Sequence, residues 1–104
     1  MVSRVKALQQ MLVQDSEDSF LNYALALEMI KNNQLKEAIS ILEKLLHRDE
    51  NYLAAYYQLG KMQEQLSEKN SAIMVYNKGI EIARKQKNNK TLGELAEALA
   101  LLEE

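Results

Sequence analysis

The sequence has no cysteine, no proline and no tryptophan, and only three glycines and one histidine. The lack of cysteine excludes disulfides, thiolate catalysis and cysteine-ligated metals, and agrees with a reducing compartment. No apolar run approaches the roughly 20 residues needed to cross a bilayer; ALALL at 98–102 is among the longest. The first stretch, MVSRVKALQQMLVQDSED, is broken throughout by charge and glutamine and does not read as a secretory signal. A net charge of −2 supplies no electrostatic footprint for nucleic acid or an anionic membrane. Alternating apolar and polar runs are missing, as are Asn-Gly and Asp-Gly hairpin turns, so strands are not expected. These absences point to a cytoplasmic protein with no nucleic-acid or membrane partner and no cofactor.

What is present is helical periodicity. With 104 residues, 47% of them apolar, the chain is long enough for one domain with a modest core. Apolar residues recur at three- and four-residue spacings and predict six helices. The first spans about 2–14, with Val5, Leu8, Met11 and Leu12 on one face. The second spans about 19–31 (Leu21, Leu25, Ala26, Met29), and the third about 35–47 (Leu35, Ala38, Ile39, Leu42, Leu45, Leu46). The fourth spans about 52–66 (Tyr56, Leu59, Gly60, Met62), and the fifth about 69–86 (Ala72, Ile73, Tyr76, Gly79, Ile80). The last spans about 92–103 (Leu92, Leu95, Leu99, Leu102). The breaks DSED, KNNQ, RDEN, LSEK and KNNK are short and rich in cap and turn formers. Thr91 and Glu94 have capping-box spacing, which predicts that Thr91 starts the last helix.

An offset of 34 lays residues 19–52 over 53–86. Tyr23 then falls on Tyr57, Leu25 on Leu59, Ala26 on Gly60, Ala38 on Ala72 and Ile39 on Ile73. Leu42 falls on Tyr76, Leu45 on Gly79 and Leu46 on Ile80. The matches sit at apolar and small positions while polar residues drift, as expected of a repeated packing unit. A 34-residue helix–turn–helix period is that of the tetratricopeptide repeat. The second unit, LAAYYQLGKMQEQLSEKNSAIMVYNKGIEIARKQ, resembles that family through Tyr56, Leu59-Gly60, Ala72, Tyr76 and Gly79. The first carries Leu25-Ala26, Ala38 and Leu42 at the matching places. The chain is also similar to small stand-alone bacterial proteins of about two such repeats. The resemblance implies an all-α, right-handed α-α superhelix of antiparallel helix pairs. It divides the single domain into a half-repeat helix at 1–18, repeats at 19–52 and 53–86, and a capping helix at 87–104.

Departures from the family pattern are local. Asn22 stands where a large aromatic is usual, which implies a helix that is more exposed or shifted in register. Met29 and Gln63 occupy a tyrosine slot, and Glu50 and Arg84 replace the turn proline.

All three glycines, Gly60, Gly79 and Gly93, lie inside helical patterns, where each costs about 1 kcal/mol relative to alanine. The resemblance supplies a reason: small residues stand where helices cross most closely. About a hundred additional Å² of apolar surface buried at a crossing offsets one glycine. Gly60, Ala26 and Gly79 fit such slots, and Gly93 fits loosely.

Chemistry is scarce. His47, beside Arg48 and Asp49, reads as a residue at a helix C-terminus interacting with the dipole rather than as a base or ligand. The acidic clusters at 15–18 and 103–104 lack calcium-loop spacing. No glycine-rich phosphate loop occurs. Met11, Met29 and Met62 read as packing residues. No enzyme is expected. By resemblance, Phe20, Tyr23, Leu27, Tyr57, Gln58, Lys61, Glu64 and Gln65 face the concave groove that binds peptide segments in this family. The other reading has Phe20, Tyr23 and Leu27 packing against a neighbouring helix. Some members clamp a peptide carboxylate with lysine, asparagine and arginine, but Tyr23, Leu27 and Gln58 stand in those places here. The expected function is a non-enzymatic protein-interaction module for a peptide or protein partner. The alternative is a self-assembling helical protein acting as a homodimer.

Overall fold

The computed structural model describes residues 3–104, and among these the chain forms six helices and no strand. They are α1 (Arg4–Gln14), α2 (Ser19–Lys31), α3 (Leu35–Arg48), α4 (Ala54–Gln65), α5 (Lys69–Lys85) and α6 (Asn89–Leu102). The expected start of the first helix at residue 2 lies outside the described residues. Two compact units divide the chain between Asp49 and Glu50.

The first unit holds α1, α2 and α3, with α2 packed against both of the others. Leu8, Ala24, Leu25, Met29 and Ala38 form a buried cluster, flanked by the partly buried Val5, Leu12, Leu21, Ile30 and Ile41. The Asp18 carboxylate accepts from the Leu21 amide at 2.8 Å and caps α2. Arg4 Nε meets Glu28 Oε1 at 2.8 Å and joins α1 to α2. The Ser19 hydroxyl donates to Asp49 Oδ2 at 2.7 Å and pins the start of α2 to the end of α3. Met11 is 54% exposed, which overturns its reading as a packing residue. Leu8 alone is fully buried on α1, so the helix turns a narrower face inward than its periodicity suggests. Asn22 is half-buried, and its Nδ2 donates to Ser16 O at 3.1 Å and Asp18 O at 2.9 Å. Its amide closes the turn before α2, which explains a polar residue in a nominally apolar slot.

The second unit holds α4, α5 and α6, with α5 packed against both neighbours and α4 touching α6 lightly. Tyr56, Leu59, Met62, Ala72, Tyr76, Ile82, Ala83 and Leu95 are buried. A Cβ built on Gly60 would lie 2.2 Å from Tyr76 Cε1, and one on Gly79 would lie 2.8 Å from Tyr56 Cβ and 3.0 Å from Leu95 Cδ1. Both glycines therefore permit close crossings, as expected. Gly93 does not: it is exposed, and an added Cβ would meet nothing within 4 Å. The loop before α4 is held by Tyr56 Oη donating to Glu50 O, and by Gln86 Nε2 donating to Asn51 O, both at 2.7 Å.

Three helix pairs share one turn. Asn33, Ser67 and Lys87 take φ of 62°, 61° and 57°, the left-handed region in which glycine usually ends a helix. In each turn the next amide reaches back five residues: Gln34 N to Met29 O at 2.8 Å, Glu68 N to Gln63 O at 2.8 Å and Asn88 N to Ala83 O at 2.9 Å. These bonds satisfy carbonyls that the helix end leaves open. The last turn also corrects the expected cap of α6. Asn88 Oδ1 accepts from the Thr91 amide at 3.0 Å, so Asn88 is the N-cap and Thr91 lies inside the helix. Asparagine is as good a cap as threonine or better, and the turn geometry already places it there.

Candidate functional site

Two stripes of the second unit converge. On α4, Tyr57, Lys61 and Glu64 are spaced i, i+4, i+7 and fall on one face. On α6, Glu94, Glu97, Ala98 and Leu101 are spaced i, i+3, i+4, i+7. Because α5 packs against both helices while α4 and α6 touch only lightly, these faces leave an open wedge. Tyr57, Lys61, Glu94, Glu97, Ala98 and Leu101 line a cleft of about 120 Å³ there. Small-molecule sites occupy roughly 300–1,000 Å³, so this cleft suits one side chain of a larger partner. Ala98 is buried, while Leu101 is 61% exposed.

The α4 wall is ordered by its own helix. Lys61 Nζ lies 5.7 Å from the Tyr57 ring centroid and 4.0 Å from Glu64 Oε2. Glu64 also accepts from the phenol of Tyr76, whose side chain is fully buried. Burial, and then the Glu64 carboxylate, push the Tyr76 phenol far above the usual tyrosine range, so it stays a neutral donor. Glu64 thus ties the stripe to the core.

The other expected site residues fall as follows. Gln58 is half-buried and Gln65 exposed, along a neighbouring stripe of α4. In the first unit Phe20 is 66% and Leu27 37% exposed, with Tyr23 half-buried on the same stripe of α2. Sequence reasoning missed Glu94, Glu97, Ala98 and Leu101. Their spacing was readable, but which face α6 turns toward α4 depends on packing against α5.

No group of three or more His, Asp or Glu side chains could hold a metal ion among the described residues. His47 is exposed in the last turn of α3. No helix among the described residues is long and apolar enough to cross a membrane. The arrangement offers an aromatic ring, paired charges and exposed aliphatic surface, which are the means of noncovalent recognition.

The sequence pattern described as the tetratricopeptide repeat matches residues 53–86, which hold α4 and α5. A tetratricopeptide repeat domain protein from Salinibacter ruber, solved in solution, is 40% identical. The match covers 86% of this chain and 90% of that one, with a TM-score of 0.81. The chain belongs to the tetratricopeptide repeat family. Its fold is accordingly all-α and tetratricopeptide-repeat-like. The same fold appears in the TPR2B domain of yeast Sti1 in complex with pHsp70, at TM-score 0.88 and 22% identity, covering 95% of this chain and 79% of that one. It appears again in the type III secretion translocator chaperone SycD of Yersinia enterocolitica, at TM-score 0.87 and 17% identity, covering 95% and 69%. No curated protein matches the chain.

Proposed function

We propose that this tetratricopeptide repeat protein is a non-enzymatic interaction module that holds a peptide or protein segment. The observation that carries the reading is the cleft between α4 and α6, with the Tyr57 ring and Leu101 at its lining. Tyr57 and Lys61, with Gln58, Glu64 and Gln65 alongside, form the contact surface of the second unit. Phe20, Tyr23 and Leu27 on α2 offer an aromatic and aliphatic stripe in the first. Phe20 and Leu101 each leave a large apolar side chain more than 60% exposed to water. That the yeast Sti1 domain of the same fold was solved in complex with pHsp70 supports a protein partner here. A helix or extended segment laid across such a face is a common mode of peptide recognition.

The test is Tyr57→Ala. Partners captured by the parent chain and identified by mass spectrometry should fall away with the variant, while its melting temperature stays within a few degrees of the parent. An unchanged partner set would sink the reading. A variant that unfolds would show that Tyr57 serves the core instead, and Leu101→Ala then repeats the comparison at an exposed position.

A further inference from the structure

The cleft between α4 and α6 has a charge that its outline alone does not convey. Lys61 is the one cation on its lining, and it is held by Glu64 and the Tyr57 ring on its own helix. Opposite stand Glu94 and Glu97, and neither has a salt-bridge partner among the described residues. They lie three residues apart, a like-charge spacing that disfavours the helix and that a cation placed between them relieves. Residues 89–104 carry one cation, Lys90, against Glu94, Glu97, Glu103 and Glu104; Lys90 stands four residues before Glu94 but forms no salt bridge with it among the described residues.

We infer that the cleft takes a cationic peptide segment, with a lysine or arginine side chain directed at Glu94 and Glu97 and an adjacent aliphatic residue resting on Ala98 and Leu101. The inference rests on the interaction-module reading and adds the chemistry of the partner. Each part of the cleft has a matching part in such a segment. The carboxylates take the charged head. The buried Ala98 leaves room for the aliphatic stem, because a small residue on one wall lets another chain approach. The Tyr57 ring favours arginine over lysine, since a guanidinium stacks on an aromatic face as well as pairing with a carboxylate. An acidic segment meets two like charges and gains only Lys61, which is already paired. The volume of about 120 Å³ restricts the deep contact to one side chain, so flanking residues of the segment would lie outside it.

The experiment uses the full chain labelled with nitrogen-15 and three capped nonapeptides of glycine and serine. These carry a central Arg-Leu-Arg, Gln-Leu-Gln or Glu-Leu-Glu. The arginine peptide should move the amide signals of Tyr57, Lys61, Glu94, Glu97 and Leu101. It should bind about tenfold more tightly than the glutamine peptide, a difference of about 1.4 kcal/mol, with the glutamate peptide weakest. Added salt should shrink that preference, because the charges are exposed. Glu94→Gln combined with Glu97→Gln should make the arginine and glutamine peptides equal, with unchanged thermal melting. Equal binding of all three peptides to the parent cleft would overturn the cationic preference and leave the interaction reading intact. Movement of the same signals with protein concentration alone would assign the cleft to a second copy and overturn the inference. Silence from every peptide would also overturn it, and the Tyr57→Ala capture then decides the broader reading by itself.

Discussion

At positions 34 residues apart, the first unit carries Ala26 and Leu42 where the second carries Gly60 and Tyr76. All four are buried, Leu42 and Tyr76 completely. The smaller residue on one helix accompanies the larger on the other, so the crossing keeps its volume while dividing it differently. Close-packed interiors conserve volume more strictly than residue identity. The neighbouring pair is arranged differently. In the second unit Gly79 sits directly against Tyr56, whereas at the corresponding positions of the first unit Leu45 is buried and Asn22 is half-buried with its amide bonded to the turn before α2. A third pair differs in polarity. Met29 is buried in the first unit's core, whereas its counterpart Gln63 is 3% exposed with its Oε1 accepting no hydrogen bond among the described residues.

The largest effect should come from giving the second unit only half of the first unit's solution. Gly60→Ala drives a methyl into the buried Tyr76 ring and is expected to cost about 3 kcal/mol in urea unfolding. Adding Tyr76→Leu should restore the Ala26–Leu42 arrangement, so the double variant is more stable than the two single losses sum to. Strict additivity would break the volume-exchange account.

Gly79→Ala should cost less, about 2 kcal/mol, because its contacts start at 2.8 Å rather than 2.2 Å. A neutral result at that position would mean that Tyr56 and Leu95 can shift, and that the second crossing is loose.

Gln63→Met copies the first unit's residue and removes a buried acceptor without a partner among the described residues. It should stabilise by about 1 kcal/mol, read as a higher urea midpoint at unchanged slope. Loss of stability would show that Gln63 has a polar role that Met29 does not share.

The smallest expected change, a gain of about 0.5–1 kcal/mol, belongs to Gly93→Ala. That glycine lies in a helix interior with open space around it, so thermal unfolding should rise by a few degrees. Destabilisation would place Gly93 among the crossing glycines after all.

Much of the fold is legible before any coordinates. Apolar spacing predicts six helices, and Ser19–Lys31 has the observed bounds. The resemblance to the tetratricopeptide repeat implies that Gly60 and Gly79 are crossing positions, and both are. Other features resist the same reasoning. Asn33, Ser67 and Lys87 hold left-handed turns without glycine, and lysine carries no local sign of that conformation. Thr91 has the right spacing for a cap, yet Asn88 takes the role once the turn before it is built. Met11 sits at core periodicity but stays half in water, since burial needs a facing helix as well as a period. For the candidate site, Tyr57 and Lys61 are readable from repeat correspondence, whereas the α6 wall is not.

The order of residues by itself determines where this chain is helical and that one hairpin unit recurs. Both follow from spacing along the chain. Tertiary packing alone decides that Tyr76 is the ring against Gly60, that its phenol donates to Glu64 of the surface stripe, and that Glu94 and Glu97 face Tyr57. Those outcomes depend on how α4 and α6 lie against α5, and a helix turned by one residue about its axis, roughly 100°, would present a different wall.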